Sequence, residues 1–264
     1  MIVLLLAIRF TKMPNLRESG EKVEFGATLR RLKKNKNYVW GVVAQFFNIG
    51  AQIAVWSFVI RYAMQQLNFD GVLASLGDSA SADDVVNALR GVEPVAAAFY
   101  NCCEWIGLND LLPRTSEQAA ATYYIMSLIL FVLMRFACTG MMKYVKAYKL
   151  LIGLALLAVA CCIGAMFGEG SFGVYCLMGI SGCMSLMFPT IYGFGLTGLG
   201  EDTKIGGSFM VMAIAGAAIL TQIQGIVSDQ TGSIMTAYIV PAFAFAVIAY
   251  YGYFVARKQE LSIK

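Results

Sequence analysis

Gln45, Asn48, Gln52 and Trp56 are spaced three, four and four residues apart, a spacing that puts all four on one face of a helix. The stretch around them, Tyr38–Met64, carries a single charge, Arg61, near its end. Carboxamides donate and accept hydrogen bonds at once, and an indole offers a flat face to C–H groups. That set suits a sugar, with its rim of hydroxyls and its apolar ring faces. The competing reading is that the amides tie one helix to another. Under either reading they turn toward protein or water, because polar side chains in hydrocarbon are costly.

A second constellation runs from Ser185 to Gly195 and contains Phe188, Pro189 and Tyr192. Pro189 has no N–H to offer the carbonyl four residues earlier, so the helix is expected to kink or break there. Phe188 and Tyr192 flank the break one helical turn apart. Broken helices recur where a transporter bends around its ligand, and a purely structural kink is the alternative. Thr221, Gln222 and Gln224 form a weaker polar group in a later apolar stretch, where Gly216 predicts a close helix crossing.

Other chemistry is excluded by what is missing. The chain has no histidine, so haem ligation by His, His proton relays and Ser-His-Asp catalysis are ruled out. No Asp or Glu lies inside the long apolar stretches. A proton-coupled mechanism must therefore take its titratable group from elsewhere. With neither a general base nor an activated nucleophile in view, an enzyme is not expected. The seven cysteines show no CxxC spacing. Cys138, Cys161, Cys162, Cys176 and Cys183 read as small packing residues, and the adjacent Cys102 and Cys103 are not expected to pair. No metal and no cofactor is expected.

Composition dictates the elements that position these residues. Apolar residues make up 59% of the chain and charged residues 14%, against about a quarter charged in soluble domains. Six stretches reach the roughly 20 residues that a bilayer demands: Tyr38–Met64, Gln118–Gly140, Tyr148–Phe167, Phe172–Leu196, Gly206–Val227 and Ala237–Ala256. They are continuous and too long for alternating barrel strands, so they are helices. The predicted fold class is an all-α integral membrane protein with six transmembrane helices. Ile2–Phe10 is apolar but too short to span, and it lacks the marks of a signal peptide. It reads as the end of a helix, as in a fragment of a longer protein.

With Arg9–Asn37 assigned to the cytoplasm and the spans alternating, 17 of the 20 Lys and Arg fall on the cytoplasmic side. Arg61, Arg90 and Arg114 remain outside, in accord with the positive-inside rule. The tail Arg257–Lys264 is then cytoplasmic too. The net charge of +4 reflects this asymmetry, not affinity for nucleic acid. The basic, amphipathic run Leu29–Lys34 suits a helix lying on the anionic inner leaflet. The long outer loop Gln65–Glu117 contains Ser81-Ala82-Asp83-Asp84 ahead of Val85, Val86 and Leu89. That is a capping signal before an amphipathic helix, and it predicts a small helical hat.

The motifs resemble a known family. Ala44-Gln45-Phe46, Gly50-Ala51-Gln52, Trp56-Ser57 and Ile60-Arg61-Tyr62-Ala63 look like the seventh helix of the fucose permease family, which are sugar:proton symporters of the major facilitator superfamily. The likeness resumes at Phe188-Pro189-Thr190-Ile191, Leu199-Gly200-Glu201-Asp202-Thr203-Lys204, Gly207-Ser208-Phe209 and Gly225–Asp229. The related glucose/galactose porters share the pattern. Met187 and Phe188 depart from it, standing where the family has a glutamine and a tyrosine, and Gln222 stands where it has a proline.

The resemblance implies twelve helices in two six-helix bundles around a central sugar cavity. Residues 1–10 would end helix 6, residues 11–37 form a cytoplasmic loop, and 38–256 form the C-terminal bundle with the outer insertion 65–117. Residues 257–264 would be a cytoplasmic tail. Helices 7 and 10 line the cavity in that family, which makes Gln45, Asn48, Gln52, Trp56, Phe188 and Tyr192 the expected substrate residues. The implied function is symport of a proton with a monosaccharide of the fucose or glucose/galactose type across the cell inner membrane. The implied partners are the sugar, the proton, the bilayer and an N-terminal six-helix bundle that carries the coupling carboxylates. The alternative is a complete six-helix protein that homodimerises into a pore or half-size transporter.

Overall fold

The computed structural model describes residues 25–74, 82–108, 112–113 and 115–263. The run Ile2–Phe10, the expected cap Ser81 and Arg114 lie outside the described residues. α1 (Phe25–Lys34) leads through Asn35 into α2 (Lys36–Leu67). The Asn35 side chain caps α2 by accepting from the N–H groups of Asn37 and Tyr38, at 3.1 and 3.3 Å. Such a bond satisfies donors that a helix start leaves orphaned. α2 ends at Asn68, whose φ of 44° turns the chain away.

The insertion between the first two spans folds into α3 (Phe69–Ala74), α4 (Ala82–Val92) and α5 (Pro94–Ile106). The predicted amphipathic helix is α4, with Val85, Val86 and Leu89 buried. α5 buries Ala96, Tyr100 and Cys103. An ion pair of 2.7 Å between Arg90 and Glu104 joins α4 to α5.

Beyond the insertion come α6 (Ser116–Met141), α7 (Ala147–Phe167), α8 (Ser171–Met184), α9 (Met187–Leu196), a 3₁₀ turn at Gly200–Asp202, α10 (Thr203–Met212), α11 (Ala215–Thr231), α12 (Ile234–Ala237) and α13 (Ile239–Ile263). Among the described residues six spans are long and apolar enough to cross a membrane, with α8–α9, α10–α11 and α12–α13 each forming one span.

α2 stands in the middle and packs against α6, α8, α9, α11 and α13, while α7 packs on α8 and α13. Small residues let it do so: Ala44, Ala51, Ala54 and Ala63 are fully buried. Its closest crossing is with α11. A Cβ on Gly216 would lie 2.1 Å from the Phe46 carbonyl oxygen, and one on Gly50 would lie 2.8 Å from the Gly216 oxygen. The close crossing predicted at Gly216 is therefore present.

At one end of the bundle the start of α2 meets the end of α9, the start of α10 and the end of α13. Asn37 donates to the Phe194 carbonyl at 2.7 Å, Tyr38 donates to the Gly206 carbonyl at 2.9 Å, and Trp40 lies edge-on to Tyr250. At the other end Tyr62 donates to the Ala165 carbonyl at 2.6 Å, and Gln66 accepts from the Gly170 N–H at 2.9 Å. Consecutive spans thus alternate in direction.

Two boundaries differ from expectation. The fifth span, read as continuous over Gly206–Val227, is two helices. Gly216 and Ala217 donate to the carbonyls of Ala213 and Ile214, three residues back, so one 3₁₀-type turn interrupts the ladder. It lies immediately before the Gly216 crossing, and no proline announces it. The last helix also continues past Ala256 to Ile263.

Candidate functional site

Two contacts fix how α2 lies beside the α8–α9 span. Gly41 abuts Gly195, and the indole N–H of Trp56 donates to Ser181 Oγ at 3.2 Å. Numbers rise along α2 and fall along its neighbour, so the two run antiparallel. Gln45, Asn48 and Gln52 fall between those contacts, alongside the first turns of α9 and the Ser185–Leu186 turn that separates α8 from α9.

The break has the cause that the sequence suggests. Pro189 is the third residue of α9 and cannot donate to the Ser185 carbonyl, so the ladder lapses one turn before the proline. α9 restarts from Leu186, whose carbonyl accepts from both the N–H and the Oγ1 of Thr190, at 3.3 and 2.8 Å.

The six expected site residues divide into two groups. Gln45 is 0% and Asn48 1% exposed, and none of their four amide atoms has a hydrogen-bond partner. Gln52 and Trp56 are half-buried. Trp56 packs edge-on against Phe131 and Tyr124 of α6, with centroids 5.4 and 6.5 Å away. Phe188 and Tyr192, also half-buried, stack at 6.2 Å with planes 8° apart. Tyr192 further lines an open cleft of about 550 Å³ with Thr203, Lys204 and Ser208.

Buried polar atoms are normally paired, and leaving one unpaired costs about 1–3 kcal/mol. The amides of Gln45 and Asn48 are thus buried donors and acceptors without a protein partner, beside a break in the helix ladder.

Other buried polar groups lie elsewhere, and of them the sequence singles out Gln224. Gln224 on α11 is 0% exposed with both amide atoms unpartnered, whereas its neighbour Gln222 is exposed. Ser127 on α6 is buried with an unpartnered hydroxyl. Glu93, between α4 and α5, is a carboxylate only 3% exposed. It accepts from Tyr175 Oη at 2.7 Å and from Ser171 Oγ, so the insertion is pinned to the start of α8. Its one trace in the sequence is its place before Pro94, a residue favoured at the first position of a helix.

No family model matches the chain. It is similar to the L-fucose-proton symporter of Escherichia coli (strain K12), 33% identical over 253 residues that cover 94% of this chain and 48% of the relative. Similarity extends to the glucose/galactose transporter of Brucella abortus (strain 2308), 26% identical over 262 residues that cover 94% of this chain and 52% of the relative. Among solved structures, a major facilitator superfamily transporter, FucP, in the outward conformation superposes with a TM-score of 0.73 at 32% identity. The match covers 96% of this chain and 51% of that one. The chain spans about half the length of the curated relatives it matches. Those relatives are transporters, not enzymes. This chain is a multi-pass membrane protein with the fold of a six-helix half of a major facilitator transporter.

Proposed function

We propose that the chain is the C-terminal bundle of a monosaccharide:proton symporter and supplies one wall of its sugar site. The observation that carries this reading is the set of orphaned amide atoms on Gln45 and Asn48, beside the broken α8–α9 span. Gln52, Trp56, Phe188 and Tyr192 form the open part of the wall, where a pyranose ring meets an indole, a phenol and an amide. Gln45 and Asn48 form the closed part, which the sugar reaches when the break at Ser185–Leu186 gives way. The names of the relatives supply the substrate class, fucose or glucose and galactose, and the proton.

A second bundle is proposed on burial as well as on length. Of the apolar window in α6 only 11% is buried, and in the α10–α11 span 28%, against 56% in α2 and 67% in α8–α9. A partner bundle covering α6 and α11 would close the cavity and bring the coupling carboxylates that these spans lack. The protein would sit in the inner membrane with α1 and the end of α13 in the cytoplasm and the insertion outside, an orientation that the distribution of Lys and Arg supports.

Trp56 makes the reading testable in the two-bundle protein. With Trp40, Trp105 and any tryptophan of the second bundle replaced by phenylalanine, L-fucose, glucose or galactose should shift or quench the emission of Trp56 in a saturable way. An emission unmoved by all three sugars in a correctly folded protein would overturn the assignment.

A further inference from the structure

α1 has two unlike faces. On one, Thr28 and Leu32 are buried, and Arg31 forks onto Asp202. Its Nε reaches Oδ2 at 2.8 Å and its Nη2 reaches Oδ1 at 2.7 Å, while Thr28 Oγ1 donates to Oδ1 at 3.0 Å. Asp202 closes the turn that starts α10, so the helix is clamped to the bundle. Residues at helical spacing fill the other face: Leu29, 43% exposed, with Arg30, Lys33 and Lys34, all exposed. No ion pair among the described residues uses these three cations, and α1 contains no acidic residue.

A single residue, Asn35, separates α1 from the membrane-spanning α2, so α1 is held at the depth of the bilayer surface. The same end of the bundle exposes Trp40, Tyr250 and Tyr253, the aromatic types that settle at the headgroup level.

We propose that Leu29, Arg30, Lys33 and Lys34 form a docking surface for anionic lipid headgroups. Leu29 dips toward the acyl boundary, the three cations lie on the phosphates, and the Arg31–Asp202 pair holds the face in that orientation. A cationic face with an apolar edge, fixed at the interface, matches an anionic leaflet in both charge and depth. The surface is independent of what the bundle transports, so its test stands apart from any sugar measurement.

Native mass spectrometry of the whole chain in detergent, titrated separately with phosphatidylglycerol and phosphatidylcholine, reads the preference directly. The wild-type chain should retain phosphatidylglycerol over phosphatidylcholine. The variant R30Q/K33Q/K34Q keeps the Arg31 clamp and should lose that preference by on the order of a hundredfold, roughly fivefold per cation. Circular dichroism of the variant should match the wild type. An undiminished preference in the variant, or none in the wild type, would overturn the proposal. So would displacement of the lipid by millimolar inorganic phosphate, which marks a free-phosphate site, or by polyglutamate at lipid-like concentrations, which marks an acidic protein partner.

Discussion

Replacing Gln45 by methionine and Asn48 by leucine removes four buried polar atoms while nearly conserving volume. If those atoms await a ligand, the sugar-free protein gains stability from their loss. If they tie helices together, it loses stability. An unpaired buried group costs about 1–3 kcal/mol, but within membranes polar contributions run lower, averaging about 0.6 kcal/mol. About 1 kcal/mol per side chain is therefore expected. At roughly 2–4 °C per kcal/mol for a chain of this size, the double variant should melt about 4–8 °C higher. Melting can be followed with a thiol-reactive dye, because Cys162 and Cys183 are buried and free and become reactive on unfolding. In the two-bundle protein, sugar at a hundred times its Kd should add about 2.7 kcal/mol to the wild type and nothing to the double variant. A variant that melts lower, with sugar still protecting it, would show that the amides are glue.

Gln52→Ala should weaken sugar binding by about 1–3 kcal/mol, seen as a larger Kd in the tryptophan titration, whereas Leu157→Ala should not, because Leu157 on α7 is itself 53% exposed. Equal losses at both positions would report stability and not recognition. Gly216→Ala should lower the melting temperature by several degrees, because its Cβ would sit 2.1 Å from the Phe46 oxygen and overpacking costs about 1–3 kcal/mol; an unchanged melt would mean that α2 and α11 do not cross there. In intact cells an impermeant maleimide should label Cys102 of the insertion and spare Cys103. Burial pushes the Cys103 thiol up, with Cys102 adding to the effect, so near neutral pH it stays protonated as well as covered. Labelling of Cys102 only after membrane disruption would invert the topology.

What the sequence made legible follows from periodicity and from lipid. Continuous apolar runs leave a helix no alternative at membrane depth, so all six spans were readable to within a few residues at most ends. Pro189 announced its break because a missing donor is written in the residue type. The turn at Ala213–Ile214 was not announced. It is associated with a tertiary approach, Gly216 to Phe46, and not with any local residue. The spacing of Gln45, Asn48, Gln52 and Trp56 put them on one face, yet could not say that the first two are sealed and the last two partly open. That division depends on the neighbours of α2, which spacing does not contain. Glu93 was hidden for the same reason: a polar loop reads as surface until its fold carries one carboxylate back to Ser171 and Tyr175.

The central claim is that this bundle holds part of a sugar site but cannot drive transport without a second bundle that brings the proton-coupling carboxylates. Its most direct test is accumulation of radiolabelled sugar in membrane vesicles that contain this bundle alone or this bundle with a matching N-terminal one. Uptake that requires both and collapses with a protonophore is the predicted result. Protonophore-sensitive accumulation by this bundle alone would contradict the claim.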